Sequence, residues 1–178
     1  MLEIEIKVRI SEITQVRDRI IAGGGILSEI LTEHDTYYNA PHRDFGVTDE
    51  ALRLRRTEKK TTVTYKGPKN TILGSKVRDE LNLDIHDADT FVNIIRHLSF
   101  FPVADVIKER EYYQYGDFTI SLDQVKDLGQ FIEIELITEN DAENAAIRVD
   151  KIAKEIGVVG ERITSSYLEL LLIRQSGV

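Results

Sequence analysis

Six stretches of this chain set charged or polar side chains at every second position. Glu3, Glu5 and Lys7 alternate with Ile4 and Ile6, Arg53 and Arg55 with Leu52 and Leu54, and Thr62, Thr64 and Lys66 with Val63 and Tyr65. Lys76, Arg78 and Glu80 alternate with Val77 and Leu81, although Asp79 interrupts the apolar side. Lys108 and Arg110 follow the same rhythm beside Ile107, less cleanly because Glu109 lies between them, and Glu133 and Glu135 alternate with Ile132, Ile134 and Leu136. Successive side chains of a strand point to opposite faces, so each stretch predicts a strand with one charged face and one apolar face. Strands are expected at residues 2–10, 51–56, 61–66, 76–85, 103–113, 118–124 and 130–138, with a further pair at 26–32 and 34–39.

Helical spacing marks three other segments. Ile13, Val16, Ile20 and Ile21 predict a helix over 12–22, with Ser11 as its N-cap and Gly23-Gly24-Gly25 as its stop. Phe91, Ile94, Ile95 and Leu98 predict a second, capped by Asp87 or Asp89, and Ala145, Ile147, Ile152 and Ala153 a third over 141–156. Residues 39–47 read as a loop around Pro41 and Gly46, and the polar, glycine-punctuated 67–75 as a mobile loop. Residues 167–174 fit a helix or a strand equally. With no linker, repeat or low-complexity run, residues 1–178 read as one α+β domain of antiparallel strands and covering helices.

A sheet with one wet face also alternates charged and apolar residues, so alternation alone does not say whether the charged faces look out or in. Three features favour inward. The charges come as like-signed pairs, Glu3/Glu5, Arg53/Arg55, Lys76/Arg78, Lys108/Arg110 and Glu133/Glu135, whereas a solvated surface intersperses signs because like charges held close repel. The apolar helix stripes need a partner, and the apolar strand faces supply it, leaving the charged faces to enclose a cavity if the sheet closes. Finally, Lys7, Arg53, Arg55, Lys66, Lys76, Arg78, Lys108 and Arg110 give eight positive charges against six negative from Glu3, Glu5, Glu80, Asp123, Glu133 and Glu135. Such a lining suits a polyanion with divalent cations: Arg and Lys neutralise phosphate oxygens, and carboxylates hold hard cations together with substrate phosphates.

The net charge of −8 argues against a nucleic-acid or anionic-membrane binder. The absence of cysteine excludes disulfides, thiolate metal sites and cysteine nucleophiles. No apolar run has the length of a membrane span and no signal-peptide pattern opens the chain, so a cytoplasmic protein is expected. No Walker-type or dinucleotide-type glycine loop occurs, so side chains would hold any phosphate. His34, His42, His86 and His97 lack metal-ligand spacing, and Ser165-Ser166 has no triad context and reads as structural.

Glu3-x-Glu5-x-Lys7 resembles the signature of the CYTH superfamily, the class IV adenylate cyclases and thiamine triphosphatases, also called triphosphate tunnel metalloenzymes. The likeness continues through His34-Asp35-Thr36-Tyr37-Tyr38, Ala51-Leu52-Arg53-Leu54-Arg55, Thr64-Tyr65-Lys66-Gly67-Pro68, Lys76-Val77-Arg78-Asp79-Glu80, Lys108-Glu109-Arg110, Ser121-Leu122-Asp123 and Phe131-Ile132-Glu133-Ile134-Glu135. Ser166-Tyr167-Leu168-Glu169-Leu170-Leu171 looks most like the class IV cyclase branch. The resemblance implies a closed antiparallel eight-stranded β-barrel, a tunnel whose lumen binds a triphosphate with Mg²⁺ or Mn²⁺. It implies metal binding by Glu3, Glu5, Glu133 and Glu135, with Asp123 as a further ligand. It also implies phosphate binding by Lys7, Arg53, Arg55, Lys66, Lys76, Arg78, Lys108 and Arg110, with Glu3, Glu5, Lys7, Arg55, Lys76, Glu133 and Glu135 as the catalytic set. Glu80 either binds metal or orients an arginine, and the 67–75 loop covers the tunnel mouth. The implied activity is conversion of ATP to cyclic AMP and pyrophosphate. The alternatives are a triphosphatase acting on inorganic triphosphate, thiamine triphosphate or a nucleotide, and a non-catalytic polyphosphate-binding module. The expected partner is a small-molecule triphosphate, with neither nucleic acid nor membrane, and the chain a monomer or homodimer.

Overall fold

Nine strands and five helices follow one another in a computed structural model that describes residues 2–139, 141–158 and 160–177. The strands are β1 (Leu2–Arg9), β2 (Ile26–Asn39), β3 (Ala51–Arg56), β4 (Thr61–Lys66), β5 (Asn70–Ile72), β6 (Ser75–Ile85), β7 (Phe101–Tyr115), β8 (Phe118–Val125) and β9 (Gly129–Thr138). The helices are α1 (Ile13–Ala22), α2 (Phe45–Thr48), α3 (Ala88–His97), α4 (Ala142–Glu155) and α5 (Tyr167–Gln175).

All pairings are antiparallel, in the order β1-β9-β8-β7-β2-β3-β4-β6, and β6 returns to β1 through Glu3↔Arg78 and Glu5↔Lys76. Eight strands therefore close a barrel, with β5 as an added ninth. The first half of β6 pairs β1 on one side and β5 on the other, and its second half pairs β4.

Closure gives each strand an inside and an outside, and helices cover much of the outside. Ile4, Ile6 and Val8 of β1, Ile120 and Leu122 of β8, and Ile132, Ile134 and Leu136 of β9 pack against Val16 and Ile20 of α1 and Ala145, Ala146, Val149 and Ala153 of α4. A second outer cluster sets Ile95, Phe91 and Val92 of α3 on Tyr38, Leu54, Leu52 and Val63. A third packs one side of the bore's end from within: Tyr167 and Leu171 of α5 pack on Tyr37, Val106, Val125 and Phe131, which share faces with the lumen charges. Among the described residues no helix is long and apolar enough to cross a membrane.

Several local expectations are corrected. The anticipated strand pair at 26–39 is one 14-residue strand, irregular in register at Leu27/Glu29 and at Tyr37/Tyr38, and Glu33 at the expected break is buried inside the barrel. Ser11 does not cap α1. Glu12 occupies that position without a side-chain cap bond, and Gln130 Oε1 accepts from the Ile13 N–H at 3.3 Å instead. The expected 39–47 loop runs into the short α2, capped by Asp44. The 67–75 segment is a β5–β6 hairpin rather than a free loop, turning at Leu73 and Gly74, both at positive φ. Residues 167–175 are helical because Ser166 and Glu169 form a reciprocal capping box.

Replacing Ile134, fully buried between β9 and the covering helices, by Ala should cost ~2–5 kcal/mol, read as a lowered urea midpoint with an unchanged slope.

Candidate functional site

The closed barrel turns the charged rows inward. Glu3, Glu5, Lys7, Lys76, Arg78, Lys108, Arg110 and Asp123 are all buried, at 8% exposure or less. A cavity of about 710 Å³ opens at the end where α5 sits, and its wall includes Glu3, Glu5, Lys7, Arg53, Arg55, Lys66, Lys76, Arg78, Glu80, Lys108, Arg110, Glu133 and Glu135. Thirteen of the fourteen site residues expected from the sequence thus share one wall, and none of the four histidines reaches it.

The exception is Asp123, expected as a metal ligand. It is fully buried behind Arg110, accepts from Arg110 Nε at 2.6 Å and from Tyr167 Oη at 2.6 Å, and does not line the cavity. Cross-strand register explains this placement, since Asp123 lies directly opposite Arg110 on the β7–β8 ladder. Its oxygens are engaged in orienting Arg110.

Two lumen carboxylates escaped the sequence reading. Glu33 and Asp35, each 1% exposed, continue a period-two row with Tyr37. Arg55 is held bidentately by Asp35 at 2.7 Å and pairs with Glu33 at 3.0 Å, while Lys108 sits between Glu33 at 2.7 Å and Asp35 at 3.3 Å. Burial would raise both acids, but the cations outweigh it. Lys108, Arg110 and Arg55 bring Glu33 down to about 2, and Lys108, Arg55 and Arg53 hold Asp35 well below the usual carboxylate range. With these two, the lumen holds eight cationic side chains and eight carboxyl groups.

The balance is uneven in space. On one side, Glu133 lies between Lys7, at 3.2 Å, and Arg110; burial opposes its charge, yet Arg110, Lys7 and Lys76 hold it ionised. On the other side, Glu135 faces Glu5 across the β1–β9 ladder. Burial, then Glu3 and Glu5, push the Glu135 carboxyl up to about 8, with Lys66 only partly countering. Lys66 bonds Glu3 at 3.1 Å and pairs with Glu80, and Lys76 bonds Glu5 at 2.8 Å.

The cations also differ in freedom. Arg78 donates to the backbone oxygens of Gly67 and, at 2.6 Å, Asp49, which ties the hairpin entrance to the wall. Arg53 is the most loosely held arginine of the lumen: its Nη2 meets Thr64 Oγ1 at 3.1 Å, the carboxylates of Asp35 and Glu80 lie 3.8 and 3.9 Å away, and its Nε has no hydrogen-bond partner among the described residues. At the mouth, Lys7 Nζ lies 4.2 Å from the centroid of the Tyr167 ring and donates to the Ser165 carbonyl at 3.1 Å. Lys69 reaches from the hairpin to Glu169 at 2.7 Å and Asp49 at 3.0 Å.

Divalent cations fit this wall in a particular way. No trio of acidic or histidine side chains among the described residues converges on one point, but the donors offered by Glu3, Glu5 and Glu135 are hard oxygens, and the raised Glu135 marks excess negative charge there. Mg²⁺ is commonly held by one or two carboxylates with phosphate oxygens completing its shell, so one or two of Glu3, Glu5 and Glu135 would hold it together with the substrate's phosphates, whereas Glu133 is taken up by Lys7 and Arg110.

The family model described as CYTH domain matches residues 1–167 of the chain. A protein of Methanocaldococcus jannaschii carrying the name "Putative adenylate cyclase" is 35% identical over 173 residues, 96% of this chain and 98% of that one. Adenylate cyclase CyaB of Aeromonas hydrophila is 25% identical over 142 residues, 79% of this chain and 71% of the other. A solved structure of a Pyrococcus horikoshii protein superposes with a TM-score of 0.87 at 36% identity, covering 97% of this chain and 99% of that one.

Glu135 sits above its usual 4.5, so the folded state binds its proton more tightly than the unfolded state does. That contribution to stability is complete below pH 4.5, is lost as pH rises to about 8, and levels off above. In chelator, the melting temperature should fall across that window, and Glu135→Gln should flatten the fall. Adding Mn²⁺ at pH 7 should release a proton from Glu135, seen as a buffer-dependent calorimetric enthalpy.

Proposed function

Because the chain belongs to the CYTH domain family, we propose that it processes a triphosphate in its bore together with Mg²⁺ or Mn²⁺, as an adenylate cyclase converting ATP to cyclic AMP and pyrophosphate. The observation that carries this reading is the convergence of clustered carboxylates and basic side chains on one cavity wall. A pure anion binder has no need of Glu3, Glu5 and Glu135 crowded together, and that crowding disfavours a non-catalytic module. The names of the Methanocaldococcus and Aeromonas relatives support the cyclase over its alternatives.

In the proposed reaction the ribose 3′-oxygen bonds to the α-phosphorus, the α–β bridging bond breaks, and its electron pair leaves with pyrophosphate. The hydroxyl proton passes to the Glu3–Glu5–Glu135 cluster. When bound, the divalent cation would supply Lewis-acid activation of the hydroxyl and neutralise phosphate oxygens. Lys7, Arg53, Lys66 and Lys76 bind the phosphate chain from the wall. Arg55, Lys108 and Arg110, locked by Asp35, Glu33 and Asp123, offer oriented N–H donors where charge builds on the departing group. Most lumen cations already have carboxylate partners, so a divalent cation bound with the substrate would offset much of the negative charge the phosphates bring.

One observation favours a triphosphatase as the second reading: Arg53, Arg55 and Glu80 also line a separate opening at the far end of the bore. Water entering there reaches the end of the phosphate chain and can displace the terminal phosphoryl group.

Incubating the chain with ATP, GTP, thiamine triphosphate and tripolyphosphate in Mn²⁺, and measuring cyclic product and phosphate together, decides between them. Cyclic AMP with pyrophosphate is expected; phosphate without any cyclic product would overturn the cyclase reading. Arg53→Ala should weaken triphosphate binding by ~1.5–3 kcal/mol, the worth of a hydrogen bond to a charged group, read as a raised KM. Glu3→Ala should abolish metal-dependent turnover without loss of thermal stability, because it removes one of several repelling carboxylates.

A further inference from the structure

The bore has a second mouth. A chamber of about 590 Å³ is lined by Glu29, Thr57, Lys59, Lys60, Asp84 and Tyr112 among others, and it shares Arg53, Arg55, Glu80 and Tyr112 with the cavity at the α5 end. Strand β3 fixes the two as opposite ends: Ala51 at its start lines the first cavity, Arg53 and Arg55 line both, and the turn after Arg56 belongs to the second alone. Between them stand Arg53, Arg55, Glu80 and Tyr112, which line both, and Glu33, which bonds Tyr112 and pairs with Arg55 and Lys108.

The two mouths differ in chemistry. The α5 mouth is edged by Tyr37, Phe45, Phe101, Val103 and Leu172, which suit the organic end of a substrate. Around the second mouth the basic row of β3 continues into its turn through Lys59 and Lys60, 62% and 60% exposed. Each is held by one carboxylate, Lys59 by Glu29 at 2.5 Å and Lys60 by Asp84 at 3.0 Å. Exposed pairs of this kind are worth little and exchange readily for another anion. Arg53, its Nε unpartnered among the described residues, stands between the chambers.

We propose that the second mouth is an exit subsite for the inorganic product, pyrophosphate or phosphate, handed from Arg53 and Arg55 to Lys59 and Lys60 and released on the side opposite α5. This rests on the triphosphate-processing reading and holds for cyclase and triphosphatase alike. In either case the organic group sits in the α5 mouth, and the inorganic fragment forms deeper, with that group across its way back.

The test compares the full chain with the Lys59→Glu/Lys60→Glu and Lys59→Arg/Lys60→Arg double variants on whichever triphosphate the wild type turns over. Charge reversal should lower steady-state turnover on the order of tenfold, the scale of electrostatic focusing in a charged cleft. The single-turnover rate should stay unchanged, inhibition by added pyrophosphate or phosphate should weaken, and the arginine pair should behave as wild type. Unchanged steady-state turnover and product inhibition would overturn the exit, as would a matching drop in the single-turnover rate, which would place the lysines in the chemistry. A wild type that turns over no triphosphate removes the functional reading itself and the exit with it, an outcome recognisable without either variant.

Discussion

Charge compensation inside a closed bore is the constraint on which the rest of this molecule depends. Eight cations and eight carboxyl groups line the bore where water is scarce, and a group that stays charged there needs an opposite charge within reach. Closure of β6 onto β1 creates this condition, because without that seam Glu3, Glu5, Lys76 and Arg78 would lie along open sheet edges in water. Buried ion pairs return little net stability after desolvation. The apolar outer faces of β1, β8 and β9 under α1 and α4 therefore carry the fold, and the lumen is free to be arranged for chemistry.

That arrangement is not uniform. Arg55, Lys108 and Arg110 are pinned by Asp35, Glu33 and Asp123, so their charges stand in place before any ligand arrives. Glu135 is the reverse case: its neighbours Glu3 and Glu5 share its sign, and its carboxyl stays protonated near neutral pH. Oriented basic donors beside an under-compensated acidic corner give two unlike halves of one wall, one matched to phosphate and one to a hard cation. Tyr167 joins the wall to its cover, since its ring packs beside Lys7 and its hydroxyl donates to Asp123 behind Arg110. The helix at the mouth is thereby coupled to an arginine of the lumen.

Much of this wall was legible in the chain because a strand's period of two is local. Glu3, Glu5 and Lys7 share a face whatever they pair with, and like-signed pairs on strand after strand are costly on a solvated sheet, which pointed them inward. Glu33 and Asp35 were missed for an equally local reason. Leu31, Glu33, Asp35 and Tyr37 keep the rhythm, but Thr32, His34 and Thr36 on the opposite face are polar too, so the alternation that marks a strand faded and the strand was broken at Glu33. The capping box of Ser166 and Glu169 was present as a four-residue pattern and would have settled residues 167–174 as helix.

The sequence by itself determined which side chains share a strand face and where the helices α1, α3 and α4 lie, because backbone geometry within a few residues sets both. Only the tertiary structure decided which charge meets which. Cross-strand register put Asp123 behind Arg110 and out of the cavity, set Glu135 opposite Glu5 to make the acidic corner, and left Arg53 loosely held between the two chambers. The Arg110–Asp123 pairing follows from the short β7–β8 hairpin, but barrel closure and the acidic corner join residues far apart in the chain, such as Glu5 with Lys76 and with Glu135, and no local pattern carries those contacts.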